Sequence, residues 1–316
     1  KYQLRGEILS FIPVDKNVEI MLVTITNTGR MAQTVTPTAA IPLYGRSADN
    51  IRDHRHVTSL LHRIETTDTG VLVTPTLSFD ERGHQVNHMT YYCVGWSGNG
   101  EKPVDFYPTA EDFVGEGGNF ERPYAIVKNA EGVKAGTKIE GLEAVGGLHF
   151  SEITLEPEEE CSYLIFTGIT EDIQEIRNLS KTYTTREKVL EELEKTKAYW
   201  QEKVNVAYHT GDSDFNQFMH WVSFQPILRR IYGCSFLPHH DYGKGGRGWR
   251  DLWQDCLALL IMNPDGVRQM LLDNFAGVRI DGSNATIIGS KQGEFVADRN
   301  NICLLYTSPS PRDMRR

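Results

Sequence analysis

The sequence predicts a mainly antiparallel β-sandwich, followed by a helical linker and then by the first helices of an α/α barrel. Three observations carry this expectation. Residues 1–170 hold short runs rich in Val, Ile, Thr, Tyr and Phe, punctuated by Gly, Pro, Asn and Asp. Near residue 171 the apolar period changes from two to about 3.6. Beyond residue 211, helical stretches succeed one another with functional-looking loops between them, as antiparallel helices do.

The β-rich runs come first. EIMLVTITNTG, MAQTVTPTAAIPLYG, GVLVTPTLSF, MTYYCVGWSG, GLHFSEITLEP and CSYLIFTGIT each read as strand. VEIMLVTITN alternates, with Val18, Ile20, Leu22 and Thr24 on one side. FSEITLEPEEECSYLIFTG reads as two antiparallel strands around an acidic turn. No crossover helix separates the runs, which argues for antiparallel sheets packed as a sandwich over residues 1–170.

Residues 171–210 read as the linker, one helical stretch. Val189, Leu193, Thr196 and Trp200 recur at helical spacing. Glu187, Glu191, Glu194 and Lys195 stand three or four residues apart, as charge partners do. The barrel helices follow over 211–302. DSDFNQFMHWVSFQPILRRIYG begins with a cap at Asp212 or Ser213. It presents Phe215, Phe218, Met219, Val222 and Phe224 as a buried face, and should kink or break at Pro226. A helix is expected over 249–262. Another starts at Pro264 and is closed by Gly277.

Bulk properties narrow the function. The chain has 316 residues, 40% hydrophobic and 24% charged, with formal net charge −9. That length allows two domains. The acidic balance argues against nucleic acid, which needs a basic face. No apolar run reaches about 18 residues, so no membrane span is expected. Cys93, Cys161, Cys234, Cys256 and Cys303 form no CxxC and make an odd set, which points to a reducing cytoplasm.

Both ends read as unnatural. KYQLRGEILSF has no Met, no basic n-region and no apolar h-region, as if the chain began inside a domain without a signal peptide. CLLYTSPSPRDMRR, residues 303–316, clusters Ser, Pro and Arg without a period. CLLYTSPSPRD resembles the translation of a transposase adapter used in sequencing libraries. Native sequence is therefore expected to stop near Ile302.

The chemistry concentrates in HHDYGKGGRGWRDLWQDCLALL, residues 239–260. Gly243, Gly245 and Gly248 spell GxGxxG, but LPHHDY precedes them where a dinucleotide fingerprint needs a strand and a βαβ unit. Nucleotide binding is not favoured. His239, His240 and Asp241 have no third ligand at helical spacing, so no metal is expected. On a helix, Asp251 and Asp255 lie one turn apart, as do Arg250 and Gln254. Carboxylates at a helix start can simply complement its dipole. Alternatively, Arg forks and carboxylates beside tryptophan suit a sugar, with bidentate hydrogen bonds to vicinal hydroxyls and an indole against the C–H face.

GGRGWRDLWQD (245–255), with FYPTAEDFVGEGGNFERPYAI (106–126) and DGSNATIIGSKQGEFVADRNN (281–301), resembles the inverting β-glycoside phosphorylases. These are the cellobiose, chitobiose and cyclic-glucan phosphorylase group, glycoside hydrolase family 94 and close relatives. The segments match in order, and the resemblance spans nearly all of residues 1–302. It implies an N-terminal sandwich, a helical linker and an (α/α)6 catalytic barrel. Carried over, Arg250 and Asp255 would hold hydroxyls of the donor sugar. Arg247, Trp249, Gln254 and Asp251 would be near neighbours, and the glycines would let the loop approach the sugar closely.

The resemblance also implies single displacement. A carboxylic acid protonates the glycosidic oxygen while inorganic phosphate, the co-substrate, attacks the anomeric carbon from the opposite face. The family's general acid and phosphate-binding side chains lie downstream of the matched segments. No catalytic residue is therefore named, and this chain by itself is expected to be inactive. No other cofactor is implied. The expected partner is an oligosaccharide, and the parent is expected to form a homodimer through its sandwich. Two other readings stand beside this one. One is an inverting hydrolase on the same barrel, with water as nucleophile. The other is a non-catalytic carbohydrate-binding sandwich whose contacts lie on strands, at Tyr91, Tyr92 or Trp96.

Overall fold

The computed structural model describes residues 3–45, 58–80, 83–232, 247–275, 278, 287–288 and 295–296. The chain forms two compact units, Lys1–Lys197 and Ala198–Arg316.

The first unit contains β1 (Leu4–Phe11), β2 (Val18–Asn27), β3 (Gln33–Val35), β4 (Thr38–Leu43), β5 (His62–Thr66), β6 (Gly70–Pro75), β7 (Leu77–Asp80) and β8 (Gly83–Val86). β9 (Thr90–Ser97), β10 (Asp105–Thr109), α1 (Ala110–Val114), α2 (Tyr124–Lys128), β11 (Lys138–Glu140), β12 (Ala144–His149), β13 (Ile153–Leu155) and β14 (Glu160–Thr170) follow. α3 (Ile173–Thr182) and α4 (Arg186–Lys203) come last. The main sheet has seven strands in the order β1-β2-β14-β9-β6-β5-β11, and a smaller sheet runs β10-β12-β4. Pairs β13-β3 and β7-β8 stand apart from these two. All the strand pairings among the described residues are antiparallel. The two short helices, α1 and α2, are additions that the strand pattern did not announce.

The alternation of β2 decides how the main sheet is covered. Val18, Ile20, Leu22 and Thr24 are buried, as their spacing predicts. Val18, Ile20 and Leu22 join Trp96, Leu164 and Phe166 and meet Ile176, Leu179, Tyr183 and Val189 from the helical segment. Met21, Val23 and Ile25, on the other face, pack with Phe106, Ala144 and Leu148 of the smaller sheet. Both faces are thus apolar. This explains why Leu164, Ile165 and Phe166 are consecutive and all buried. Each such side chain contributes about 1.5–3 kcal/mol through burial.

Two expectations are corrected here. The acidic turn after β13 does not close a hairpin: β13 pairs with β3, whereas β14 lies between β2 and β9. Asn27, fully buried at the end of β2, organises that turn. Its side-chain Nδ2 donates to the Leu155 carbonyl (2.8 Å), and its backbone exchanges hydrogen bonds with Glu158 and Glu159. The expected single linker helix is two helices, broken after Thr182. Tyr183 is buried between them, and its carbonyl accepts the Trp96 indole N–H at 2.8 Å. Trp96 stacks on Phe166 with centroids 4.7 Å apart, so the break is fixed by a contact with the sheet. Val189, Leu193 and Thr196 are buried as expected, but the i,i+3 ion pairs on α4 are Lys195–Glu192 and Lys197–Glu194.

The second unit contains α5 (Ser213–Tyr232), β15 (Arg247–Gly248), α6 (Trp249–Met262), α7 (Val267–Phe275), β16 (Ile287–Ile288) and β17 (Phe295–Val296). Asp212 caps α5, its Oδ1 accepting the N–H groups of Asp214 and Phe215 at 2.9 and 3.1 Å. Pro226 does not break α5, which runs through it. Nor do Phe215 and Phe218 form a buried face: they are 44% and 62% exposed, and Ile227 is the core residue of that helix. Ile227 packs with Cys256, Leu259 and Val267, joined by Trp200, Val204, Met270 and Leu271. The end of α6 is satisfied by Asn205, which donates to the Met262 carbonyl at 2.9 Å, and by Arg230, which donates to the Asn263 carbonyl at 3.0 Å. Gly277 and the tail 303–316 lie outside the described residues.

Among the described residues, Cys93, Cys161 and Cys256 form no disulfide. No described helix is long and apolar enough to cross a membrane.

His62 gives the first unit a pH dependence. It is buried in β5. Its Nε2 accepts the Gly45 N–H at 3.2 Å and its Nδ1 donates to the Leu142 carbonyl at 3.1 Å, which requires the neutral ring. Burial holds its pKa below the usual histidine value, against smaller raising effects from Leu142 and Glu143. The unfolded chain therefore binds the extra proton first, and stability falls as pH drops below about 6.5 toward the folded-state value. Replacing His62→Gln is expected to flatten the change in denaturation midpoint between pH 7.5 and 5.5. Equal losses in both proteins would exclude His62 as the cause.

Candidate functional site

The segment singled out from sequence forms the join between β15 and α6. Arg247 and Gly248 are the strand, and Trp249, Arg250 and Asp251 open the helix directly after it, with Gln254 and Asp255 in the next turn. Their side chains, along with His239, His240, Asp241, Gly243 and Gly245, lie outside the described residues. The backbone brings two of the three sequence segments together. Arg247 and Gly248 pair antiparallel with Ile288 and Ile287, and β16 pairs in turn with Phe295 and Val296. GGRGWRDLWQD and the 281–301 segment thus share one small sheet.

Helical spacing divides the candidate positions into two stripes. Positions 251, 255 and 259 stand four residues apart, and Leu259 is fully buried. Positions 250, 254, 257 and 261 form the other stripe, on which Leu257 and Ile261 are 69% and 79% exposed. Asp251 and Asp255 therefore occupy positions continuous with the core stripe, and Arg250 and Gln254 positions continuous with the exposed one. Leu257 and Leu260 are exposed, while Cys256 and Leu259 are buried.

The third segment, 106–126, belongs to the first unit. It continues from β10 through α1 to α2 around a cleft of about 300 Å³, lined in part by Tyr107, Glu111, Asp112, Glu116, Tyr124 and Glu131. Thr109 caps α1: its hydroxyl accepts the Asp112 N–H at 3.0 Å and donates to the Asp112 carboxylate at 2.7 Å. Phe113 packs on Tyr107 and on Phe120, each at 5.8 Å between centroids. Behind the cleft, Asp105 and His149 face each other across the β10–β12 ladder, Oδ1 to Nδ1 at 2.6 Å. The Tyr107 hydroxyl donates to the Ala130 carbonyl at 2.6 Å. Burial, and then the Asp105 charge, pushes its pKa up to about 12, so it remains a proton donor. The Asp105–His149 pair had no signal in the sequence, because the partners are 44 residues apart and meet only through strand register.

Two of the three strand aromatics are core residues. Tyr92 and Trp96 are 4% and 3% exposed and pack among the helices and the sheet. Tyr91 packs against the opposite cluster. Tyr92 and Trp96 are therefore closed to a strand-borne sugar platform, while Tyr91 is only partly buried.

The sandwich and its additions match a described family, "Glycosyl hydrolase 94, supersandwich domain", over residues 1–186. The chain belongs to this family. Two curated relatives extend the likeness. The cyclic beta-(1,2)-glucan synthase NdvB of Rhizobium meliloti (strain 1021) is 26% identical over 194 residues, 60% of this chain and 6% of that protein. The 3-O-beta-D-glucopyranosyl-beta-D-glucuronide phosphorylase of Paenibacillus borealis is 26% identical over 214 residues, 66% of this chain and 25% of that protein. The chain thus spans only a small part of either glycosyl hydrolase 94-type relative.

The Asp105–His149 pair should hold the rear of the cleft. His149→Ala leaves a buried carboxylate without its nearest partner, and is expected to cost about 2–3 kcal/mol in chemical denaturation. Loss of less than about 0.5 kcal/mol would mean that water or Lys134, whose ammonium lies 3.8 Å from Asp105, replaces the ring.

Proposed function

We propose that the parent of this chain is an inverting β-glycoside phosphorylase that cleaves a β-linked gluco-oligosaccharide with inorganic phosphate and releases a sugar 1-phosphate. Family membership over residues 1–186 is the observation that carries this reading. The names of both relatives contain a β-linked glucosyl unit, and one of them is a phosphorylase, which supports the substrate class and the reaction.

In this reading residues 1–170 are the sandwich and 171–210 the linker. Residues 211–302 begin the (α/α)6 barrel, and 303–316 are not native. Arg250 and Asp255 hold hydroxyls of the donor sugar, with Arg247, Trp249, Asp251 and Gln254 beside them. A sugar lying across the start of α6 can be reached from both helical stripes there, since the first turns present every side of the helix. Charged hydrogen bonds fix the ring, and the glycine-rich approach permits close contact. The acid that protonates the leaving oxygen and the groups that hold phosphate come from elsewhere in the longer polypeptide. The parent acts in the cytoplasm, as a homodimer, with phosphate as its co-substrate and no further cofactor.

The relative named for cyclic β-(1,2)-glucan synthesis favours a second reading, in which the parent serves the assembly of a β-glucan. Incubating the parent with β-linked gluco-oligosaccharides, with and without phosphate, separates the possibilities. Phosphate-dependent sugar 1-phosphate is expected; free sugar formed equally well without phosphate would indicate hydrolysis, and neither product would favour assembly.

The site is tested in the same parent. Arg250→Ala and Asp255→Asn should each lower kcat/KM about ten- to more than a hundredfold, because a charged hydrogen bond to a hydroxyl is worth about 1.5–3 kcal/mol. If the residues merely complement the start of the helix, the loss is about 1 kcal/mol of stability with nearly unchanged kinetics. Measuring Tm and kcat/KM on the same variants distinguishes the two.

A further inference from the structure

The turn that leaves β9 holds a reactive pair that the catalytic reading does not use. Asn99 and Gly100 are the one asparagine–glycine dipeptide in the chain, and every other asparagine is followed by a residue with a side chain. Both residues are exposed. Gly100 has φ 87°, in the backbone region that favours glycine. Its surroundings are open as well. A Cβ built on Gly100 would meet nothing closer than the Thr184 carbonyl oxygen, at 3.8 Å. No side chain therefore screens the Gly100 nitrogen from the residue before it.

The carboxamide of Asn99 is unheld. Elsewhere such groups are tied down: Asn27 and Asn205 donate to the Leu155 and Met262 carbonyls, and Asn87 and Asn119 accept backbone N–H groups two residues on. Among the described residues the Asn99 side chain makes no hydrogen bond, and only its backbone N–H is engaged, by the Ser97 hydroxyl at 3.3 Å. The side chain can therefore swing its Cγ toward the next amide nitrogen. One contact opposes that approach. The Gly100 N–H donates to the Ser97 carbonyl at 2.8 Å. A single bond at an exposed turn opens locally at far less cost than the sheet behind it.

We propose that Asn99 is a site of spontaneous deamidation, with the Gly100 nitrogen as nucleophile and water as the co-reactant. The Gly100 amide gives its proton to a base in solvent, and its nitrogen bonds to Asn99 Cγ. The Cγ–Nδ2 bond breaks, and Nδ2 takes up a proton and leaves as ammonia. The product is a cyclic imide. Water then opens the ring at Cγ, which gives aspartate, or at the Asn99 backbone carbonyl carbon, which gives isoaspartate. The sum takes up water and releases ammonia, without any change of oxidation state. The new carboxylate enters a cleft that Asn99 shares with Glu160, Arg186 and Glu187, at the start of α4. Arg186 already faces Glu160 there at 3.4 Å. The isoaspartyl product also lengthens the backbone by a methylene, inside a turn held by the Ser97 N–H on the Glu101 carbonyl (2.8 Å) and the Gly98 N–H on the Ser162 carbonyl (2.7 Å). The inference is independent of the catalytic reading.

Ageing the folded chain at mildly alkaline pH, with isoelectric focusing and peptide mapping at intervals, tests it. A growing acidic band is expected, with aspartate and isoaspartate at position 99. It should form more slowly at mildly acidic pH, because the attacking species is the deprotonated amide. A synthetic peptide of residues 95–103 should convert faster than the folded chain, since nothing holds its Gly100 N–H. Asn99→Gln should remove most of the acidic band, and because position 99 is exposed the variant keeps the fold. An Asn99 that stays intact in the folded chain while the peptide converts would overturn the proposal, by showing that the turn protects the pair. An acidic band that persists undiminished in Asn99→Gln would overturn it too.

Discussion

A seven-stranded sheet whose strands carry apolar residues on both faces must be covered twice. β14 states the demand most strongly, with Leu164, Ile165 and Phe166 buried in succession. No single partner layer can satisfy side chains that point in opposite directions. The smaller sheet, β10-β12-β4, covers one face, and the segment from Ile176 to Val189 covers the other. Much of the first unit follows from this. The helical segment bends where it does because Tyr183 must remain on the sheet while its carbonyl receives the Trp96 indole. The cleft exists because the chain leaving β10 turns into α1 and α2 at the end of the covering sheet.

What could be read from the sequence was local. The face of β2 was legible because Val18, Ile20, Leu22 and Thr24 recur at every second residue. The bounds 249–262 of α6 were legible because a glycine-rich approach and an asparagine-proline pair mark its ends. What could not be read depended on distant partners. The turn at 156–160 looks like a hairpin, but its two strands pair in different sheets, and the turn is tied to buried Asn27 at the end of β2, 128 residues from Leu155 in sequence. The break at 183 falls in a stretch with helical period throughout. Proline 226 carries a local warning that α5 overrides, at the loss of one amide donor.

The candidate site was legible as composition and less so as geometry. Arginine, aspartate and tryptophan beside glycine are a visible chemistry, and their place at a strand-to-helix join agrees with close approach of a ligand to the backbone. Spacing alone showed that 251 and 255 share a side. It could not show which side, because the leucines that follow look alike in sequence. Burial of Leu259 beside exposure of Leu257 and Ile261 fixes the phase.

That phase bears on how the two explanations of Asp255 compare. A carboxylate whose only role is to complement the helix dipole does best in the first turn and facing water, where it keeps its hydration. Position 255 is a turn further in, on the stripe that leads to fully buried Leu259. A charge that loses water needs a compensating donor. A hydroxyl-rich ligand or an arginine fork can supply one, and inert solvation cannot. Position 250 is placed the other way, in helical phase with exposed Leu257 and Ile261. Under the proposed sugar site both positions would have a bound polar partner, and the helical phase makes Asp255 a sharper test of that proposal than Asp251, which the start of the helix alone can account for.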